Sequence, residues 1–77
     1  MKPGTMNEII QAVNHARKKH RFFAISAKSA LPLAMEELGE LAKAINDNRP
    51  WAEIEAEAYD TIAVLVRLIE RDGVEGK

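Results

Sequence analysis

Apolar residues recur at helical spacing in three stretches of the chain. In the first stretch, a spacing of three or four residues predicts a helix that begins at a capping box formed by Thr5 and Glu8 and runs to about Lys19. Between Arg21 and Ala30 no clear period remains, which predicts a loop or a broken short helix. The apolar positions of the first helix are Met6, Ile9, Ile10, Val13 and Ala16.

Two longer helical stretches follow, separated by a turn rich in Asn and Asp. Ser29 is the predicted N-cap of a helix over about residues 31–47, with Pro32 in its first turn. A third helix is predicted over residues 51–71, and Gly73 ends it. Two long helices joined by a few residues form an antiparallel hairpin, and two such hairpins make a four-helix bundle. The predicted fold class is therefore all-α, a helical hairpin plus an N-terminal helix that assembles into a four-helix-bundle homo-oligomer.

Length and composition limit the function classes. The 77 residues make a single helical domain over residues 1–77. Because so short a chain buries only about 60% of its unfolded surface, a homodimer or homotetramer is expected. The absence of cysteine excludes a disulfide framework, a thiolate zinc site and a cysteine nucleophile. No apolar run approaches the roughly 20 residues of a membrane span, and residues 1–4 lack the apolar core of a signal peptide. We therefore expect a cytoplasmic protein with no membrane partner.

The net charge of −1 conceals a division along the chain. Residues 1–30 hold six Lys or Arg against one Glu, whereas residues 31–77 hold five Lys or Arg against eleven Asp or Glu. The basic segment 17–21 precedes Phe22 and Phe23, a pattern found in nucleic-acid-binding proteins, although a solvated helix end explains the charges equally well. Nucleic acid is not the expected partner. A non-catalytic helical module that binds nucleic acid or a protein through this segment remains the alternative.

Each of the two long helices carries two carboxylates three residues apart. Glu37 falls inside the apolar arc of its helix with Glu40 at the edge, and Glu57 and Asp60 repeat this arrangement on the next helix. A lone glutamate near a core edge commonly buries its stem and keeps its head in water. Two matched pairs, with no Lys or Arg on the same arcs, instead indicate a compensating cation, because burying an unpaired carboxylate is costly.

The ligand chemistry suggests which cation this is. Oxygen ligands alone favour Mg²⁺, with Mn²⁺ as a substitute, whereas zinc would call for Cys or a nearby His. Mg²⁺ usually keeps some water and takes phosphate oxygens as further ligands, so the open positions suit a polyphosphate. Arg21 and Lys28 are the candidate side chains that would neutralise its charge.

The carboxylates lie in two motifs. The segment EELGE at residues 36–40, followed by EAYD at residues 57–60, resembles the EExxE and ExxD motifs of the MazG-like all-α nucleoside triphosphate pyrophosphohydrolases. The similarity covers roughly residues 31–71, including MEELGELAKAI and IAVLVRLIE. It implies hydrolysis of a nucleoside triphosphate, or of a deoxy or modified form, to a nucleoside monophosphate and pyrophosphate by attack of water between the α and β phosphorus atoms. The Mg²⁺ ligands that it implies are Glu37, Glu40, Glu57 and Asp60.

The resemblance also bears on individual positions. Glu36 is a second-metal ligand or a base that orients water, or else a solvated glutamate. Many members carry Asn seven residues after the motif aspartate, where this chain has Arg67, whose guanidinium could hold phosphate. The related phosphoribosyl-ATP pyrophosphohydrolases typically have Lys three residues before the first motif glutamate, where this chain has Leu33, so that activity ranks second.

The other conspicuous side chains are assigned structural positions. Trp51, at the start of the third helix, is expected to pack onto the core, and so are Phe22 and Phe23. His15 and His20 are expected on the surface, away from the acidic motif.

Overall fold

A computed structural model describes residues 1–73 and contains three helices, α1 (Pro3–Lys19), α2 (Ala27–Asn46) and α3 (Trp51–Ile69). No strand occurs among these residues, so the all-α prediction is confirmed. None of the described helices combines the length and the apolar character needed to cross a lipid bilayer.

Helix α1 begins earlier than predicted. It starts at Pro3 with Lys2 as N-cap, and no side chain caps its first N–H groups. The fixed φ of Pro3 suits the first helical position, where a backbone N–H would have no partner. The capping box predicted at Thr5 and Glu8 is therefore wrong, whereas the end at Lys19 is confirmed. Three basic residues fill the last turn, where the helix dipole favours positive charge.

Helix α2 also begins earlier, because two serines cap it reciprocally. The Ser29 N–H donates to Ser26 Oγ at 3.1 Å, and the Ser26 N–H donates to Ser29 Oγ at 3.2 Å. Ser26 is thus the N-cap and Ser29 the third residue of the helix, not its cap as predicted. Pro32 lies one turn deeper than expected, inside the helix. The loop predicted up to Ala30 ends at Ser26 instead.

Both long helices end with a residue in the left-handed region. After α2, Asn48 (φ 55°) is followed by Arg49, whose N–H donates to the Ala44 carbonyl at 3.0 Å. After α3, Arg71 (φ 58°) is followed by Asp72, whose N–H donates to the Arg67 carbonyl at 2.9 Å. These are Schellman turns. The predicted third helix is consequently two residues too long, because the turn at Arg71 ends it before Gly73 is reached.

Helix α3 lies between the other two. It packs against α2 and against α1, whereas α1 and α2 make no helix-to-helix contact within residues 1–73. The buried positions among these residues are few and mostly small: Val13, Ala30, Ala44, Ala63 and Arg67. The open arrangement leaves a groove above α3, with α1 and α2 as its walls.

Large apolar side chains remain outside this small core. Trp51 is 73% exposed and Phe22 is 95% exposed, so the prediction that they pack into the core is wrong, whereas Phe23 is half-buried. Within residues 1–73, no further helix or strand covers the second face of this layer of three helices. Apart from Leu33, which lines the groove, the exposed large apolar residues of the α2–α3 hairpin form one stripe on each helix: Leu31, Met35, Leu38 and Ile45 on α2, and Trp51, Leu65 and Ile69 on α3.

Candidate metal centre and adjoining groove

Three carboxylates converge where α2 packs against α3. Glu37, Glu40 and Glu57 each offer an oxygen atom, and these atoms lie within 4.8 Å of one another. The spacing of three residues puts Glu37 and Glu40 on one side of α2, and the antiparallel packing of α3 brings Glu57 to them. Asp60, the fourth predicted ligand, does not belong to this set.

The cluster is short of positive charge. Burial raises the pKa of the Glu37 carboxyl, and the negative charges of Glu40, Asp60, Glu57 and Glu36 raise it further. The pKa of Glu57 is also raised, first by burial and then by the neighbouring carboxylates. Within residues 1–73, no ion pair includes any member of the cluster.

One oxygen of the cluster has no partner at all. Glu37 Oε2 is buried and makes no hydrogen bond within residues 1–73. Buried polar atoms nearly always have a partner, so this oxygen calls for a cation, a proton or a water molecule.

The donor set fits Mg²⁺ in kind and nearly in spacing. Its members are all carboxylate oxygens, which Mg²⁺ prefers. Oxygens that share Mg²⁺ at its usual bond length lie at most about 4.2 Å apart. The three oxygens lie within 4.8 Å of one another, so side-chain shifts of under about an ångström would bring them to this spacing.

A neighbouring arginine does not compensate the cluster. Arg49 lines a shallow depression together with Glu40 and Glu57. Its guanidinium is engaged by Glu53, with Nε at 2.6 Å from Oε2 and Nη2 at 2.9 Å from Oε1. That contact lowers the pKa of Glu53, and it leaves the cluster unneutralised.

The groove above α3 adjoins the cluster and has a volume of about 360 Å³. Glu36 and Glu37 lie on its α2 wall and Asp60 on its floor. The opposite wall carries three side chains with nitrogen groups, His15, Lys19 and His20. The expectation that both histidines lie away from the acidic motif is wrong, although both are exposed.

Sequence reasoning missed this opposite wall because it depends on how α1 docks. Ala12 and Ala16 of α1 face the same groove as His15 and Lys19. Small residues interleaved with polar ones at helical spacing are a weak signal for such a face. Only the packing of α1 against α3 turns it toward the carboxylates.

Arg67 closes one end of the groove floor and is 3% exposed. Nη1 donates to the Ala16 carbonyl at 3.2 Å and Nη2 to the His20 carbonyl at 2.8 Å, while Nε donates to Asp72 Oδ2 at 2.9 Å. The guanidinium lies 5.0 Å from the centre of the Phe23 ring. The expectation that no Lys or Arg shares the apolar arcs is therefore wrong for Arg67, and its assignment to phosphate stays a prediction.

Asp72 joins this arrangement to α1 a second time. Arg17 Nε donates to Asp72 Oδ2 at 2.7 Å, and Arg17 also pairs with Glu70. The hydrogen bond from Arg17, followed by that from Arg67, lowers the pKa of Asp72. Both arginines are therefore engaged by the turns that follow α3.

The remaining predicted site residues lie apart or exposed. Glu36 is exposed on the acidic wall, in keeping with either of its predicted roles. Arg21 and Lys28 are exposed and line neither the groove nor the shallow depression. Their assignment to phosphate stays a prediction.

Comparison with protein-family models, with curated proteins and with solved structures gives no match. The resemblance to MazG-like pyrophosphohydrolases is therefore carried by the motif residues alone. The structure adds that three of the four motif carboxylates share one location.

Proposed function

We propose that the chain is a Mg²⁺-dependent nucleoside triphosphate pyrophosphohydrolase. The observation that carries the proposal is the buried, unpartnered Oε2 of Glu37, in a carboxylate cluster that forms no ion pair with any described Lys or Arg. A cluster of this composition gains most from a divalent cation. The motif resemblance supplies the reaction, since these carboxylates stand at the positions that the family uses for its metal.

In this proposal Glu37, Glu40 and Glu57 would hold the cation, and Asp60 would add negative charge beside them or complete the ligand set. When bound, a cation there would supply positive charge that neutralises phosphate and makes water more acidic. Glu36, on the acidic wall, accepts a proton from the attacking water. The water oxygen bonds to the α phosphorus, and the bond from that phosphorus to the bridging oxygen breaks. The products are a nucleoside monophosphate and pyrophosphate.

The activity test uses a matched pair of variants. Canonical and modified nucleoside triphosphates are incubated with the protein and Mg²⁺, and pyrophosphate release is measured. Glu57→Gln is expected to abolish release, whereas Glu55→Gln, which removes the same charge from an exposed position of α3, leaves it unchanged. Failure of the wild-type protein to release pyrophosphate from any member of the panel would overturn the proposal.

Binding can be tested without turnover. A ligand that binds only the folded state stabilises it by about 2.7 kcal/mol at a hundred times its dissociation constant. Mg²⁺ is therefore expected to raise the melting temperature of the wild type and of Glu55→Gln, but not that of Glu57→Gln. An equal rise in all three proteins would show that Mg²⁺ binds elsewhere.

We further propose that two copies associate through their α2–α3 hairpins. The accessible area is 5896 Å², whereas a compact monomer of 8.6 kDa exposes about 4,700 Å². The two apolar stripes on the hairpin supply surface for such an interface, of which about 800 Å² per partner is typical. Packing hairpin against hairpin gives the four-helix bundle.

A pair of leucine and isoleucine variants tests this assembly. Leu38 on α2 and Ile10 on α1 are both 55% exposed. Leu38→Glu is expected to convert the assembly to monomers in sedimentation equilibrium, and Ile10→Glu is expected to leave it intact. If Ile10→Glu caused dissociation and Leu38→Glu did not, the interface would lie on α1 instead.

A further inference from the structure

The two walls of the groove carry different chemistry. Its α2 wall and floor hold carboxylates, whereas the α1 wall holds Lys19 and two imidazoles. We propose that this α1 wall is a phosphate-binding subsite, in which Lys19, assisted by His15 and His20, binds oxygens of the substrate triphosphate. This inference rests on the proposed function and adds residues that neither motif contains.

The carboxylates of the groove would repel a triphosphate unless cationic groups balanced them. A triphosphate that approaches the cluster meets Glu36, Glu37 and Asp60, whose charges repel it. One divalent cation neutralises only part of the charge of a triphosphate, so additional cationic groups are needed beside it. Lys19 faces the groove from the side opposite Glu36 and Glu37, which suits phosphate oxygens that point away from the metal.

Within the described part of the chain, the side chains on the α1 wall are free to bind a ligand. Among residues 1–73, the side chains of Lys19, His15 and His20 take part in no ion pair or side-chain hydrogen bond. Arg67, which also faces the groove, already binds Asp72 and two carbonyls. Lys19 is therefore the groove-lining cation in the described chain that has no partner of its own.

The packing of α1 holds the basic side chains in position at the groove. His15 and Lys19 are four residues apart, which puts them on one face of α1. The end of α1 is fixed to the groove floor by the bonds from Arg67 to the carbonyls of Ala16 and His20. Those carbonyls belong to the negative end of the helix dipole, and the buried guanidinium neutralises them. The buried guanidinium therefore reduces the repulsion that an anion meets at this helix end.

Size is consistent with the same ligand. The groove volume of about 360 Å³ lies within the usual range for small-molecule sites, about 300–1,000 Å³. The groove reaches the carboxylate cluster through Glu37, which belongs to both. A triphosphate in the groove can thus contact a cation at the cluster and Lys19 at once.

The test compares adjacent lysines with a probe that has no base or sugar. Inorganic triphosphate is titrated into the full-length protein by calorimetry in the presence of Mg²⁺, and Mg²⁺ alone is titrated separately. Lys19→Gln is expected to weaken triphosphate binding about tenfold, the size of one charge-assisted hydrogen bond. Lys18→Gln removes the same charge at an exposed position outside the groove lining and is expected to change binding less than twofold.

Further measurements identify how Lys19 acts. Lys19→Arg is expected to recover most of the lost affinity, and all variants are expected to bind Mg²⁺ alone as the wild type does. With a hydrolysed nucleotide, Lys19→Gln is expected to raise KM about tenfold. The double variant His15→Gln/His20→Gln is expected to weaken triphosphate binding as well. Weakened binding of Mg²⁺ alone in Lys19→Gln would indicate an indirect structural effect and overturn the proposal.

The outcomes separate this inference from the proposed function. If the wild type releases pyrophosphate while Lys19→Gln and Lys18→Gln bind triphosphate equally well, the α1 subsite is wrong and the hydrolase proposal stands. If triphosphate binding depends on Lys19 while no nucleotide is cleaved, the subsite stands and the hydrolase proposal is wrong.

Discussion

Replacing Glu37 with Gln is expected to stabilise the metal-free protein at neutral pH. The buried Oε2 of Glu37 has no hydrogen-bond partner, so the substitution breaks no hydrogen bond at that atom. It removes a negative charge that faces Glu40 and Glu57, and the new amide group can donate to either carboxylate. A residue that is proposed to hold a metal is thereby predicted to destabilise the protein when no metal is bound.

The magnitude follows from the geometry of the cluster. Two carboxylate charges 4.8 Å apart repel each other by about 1 kcal/mol in water and about 3.5 kcal/mol at an effective dielectric constant of 20. Glu37 is only half-buried, so the low end of this range applies. A net gain of about 1 kcal/mol raises the melting temperature of a domain this small by about 4–8 °C.

The sign of the pH dependence follows from the raised pKa of Glu37. Between the ordinary value of 4.5 and the raised pKa, the folded state binds more protons than the unfolded state. Stability is therefore present below pH 4.5 and is lost as the pH rises through the raised pKa toward neutrality. Glu37→Gln is expected to flatten this decline.

Thermal unfolding in a chelating buffer, at one protein concentration and several pH values, measures both effects. Glu55→Gln, on the exposed side of α3, is the control and is expected to shift the melting temperature far less. A Glu37→Gln protein that melts at or below the wild-type temperature at pH 7 without divalent cations would refute the reasoning. So would a wild-type stability that does not fall between pH 4.5 and neutrality.

The other predictions concern the elements that hold the groove together. Arg67→Ala is expected to lower the free energy of unfolding by about 3 kcal/mol in urea titrations, because it strips two carbonyls and Asp72 of a buried partner, and Arg67→Lys is expected to recover only part of this. Ser26→Ala is expected to cost about 1 kcal/mol in the same assay, because the α2 capping box is lost. Since the pKa of Asp72 is lowered, the stability that it contributes is present above its ordinary value of 3.8 and is lost as the pH falls through the lowered pKa. Asp72→Asn is therefore expected to remove this acid-induced loss in urea unfolding measured between pH 5 and pH 2.

The helices could be predicted because their apolar periods are local. The existence of three helices, the end of α1 at Lys19 and the start of α3 at Trp51 all follow from residues within a few positions. Other boundaries depend on choices between equivalent caps. Ser26 and Ser29 are both good capping residues, and which one caps depends on the backbone of the preceding loop. Arg71 ends α3 in a conformation that is more typical of Gly or Asn, so nothing in its identity indicates the turn.

Part of the candidate site could likewise be predicted from the sequence, and part could not. Convergence of Glu37, Glu40 and Glu57 could be predicted, because helical spacing and a short connection place them on facing helices. The groove could not, because it exists only where α1 docks on α3 without reaching α2. Arg67 is charged and yet buried, and two of its partners, the carbonyls of Ala16 and His20, come from a segment more than forty residues away.

The one-sided docking of α1 has a consequence for motion. A helix that packs against a single neighbour opens at a lower free energy than one that packs on two sides. Amide protons of α1 should therefore exchange with deuterated solvent sooner than those of α3. Because the carboxylate cluster lies wholly on the α2–α3 hairpin, such an opening widens the groove without disturbing the cluster. Local opening of α1 is therefore expected to leave the geometry of the carboxylate cluster unchanged.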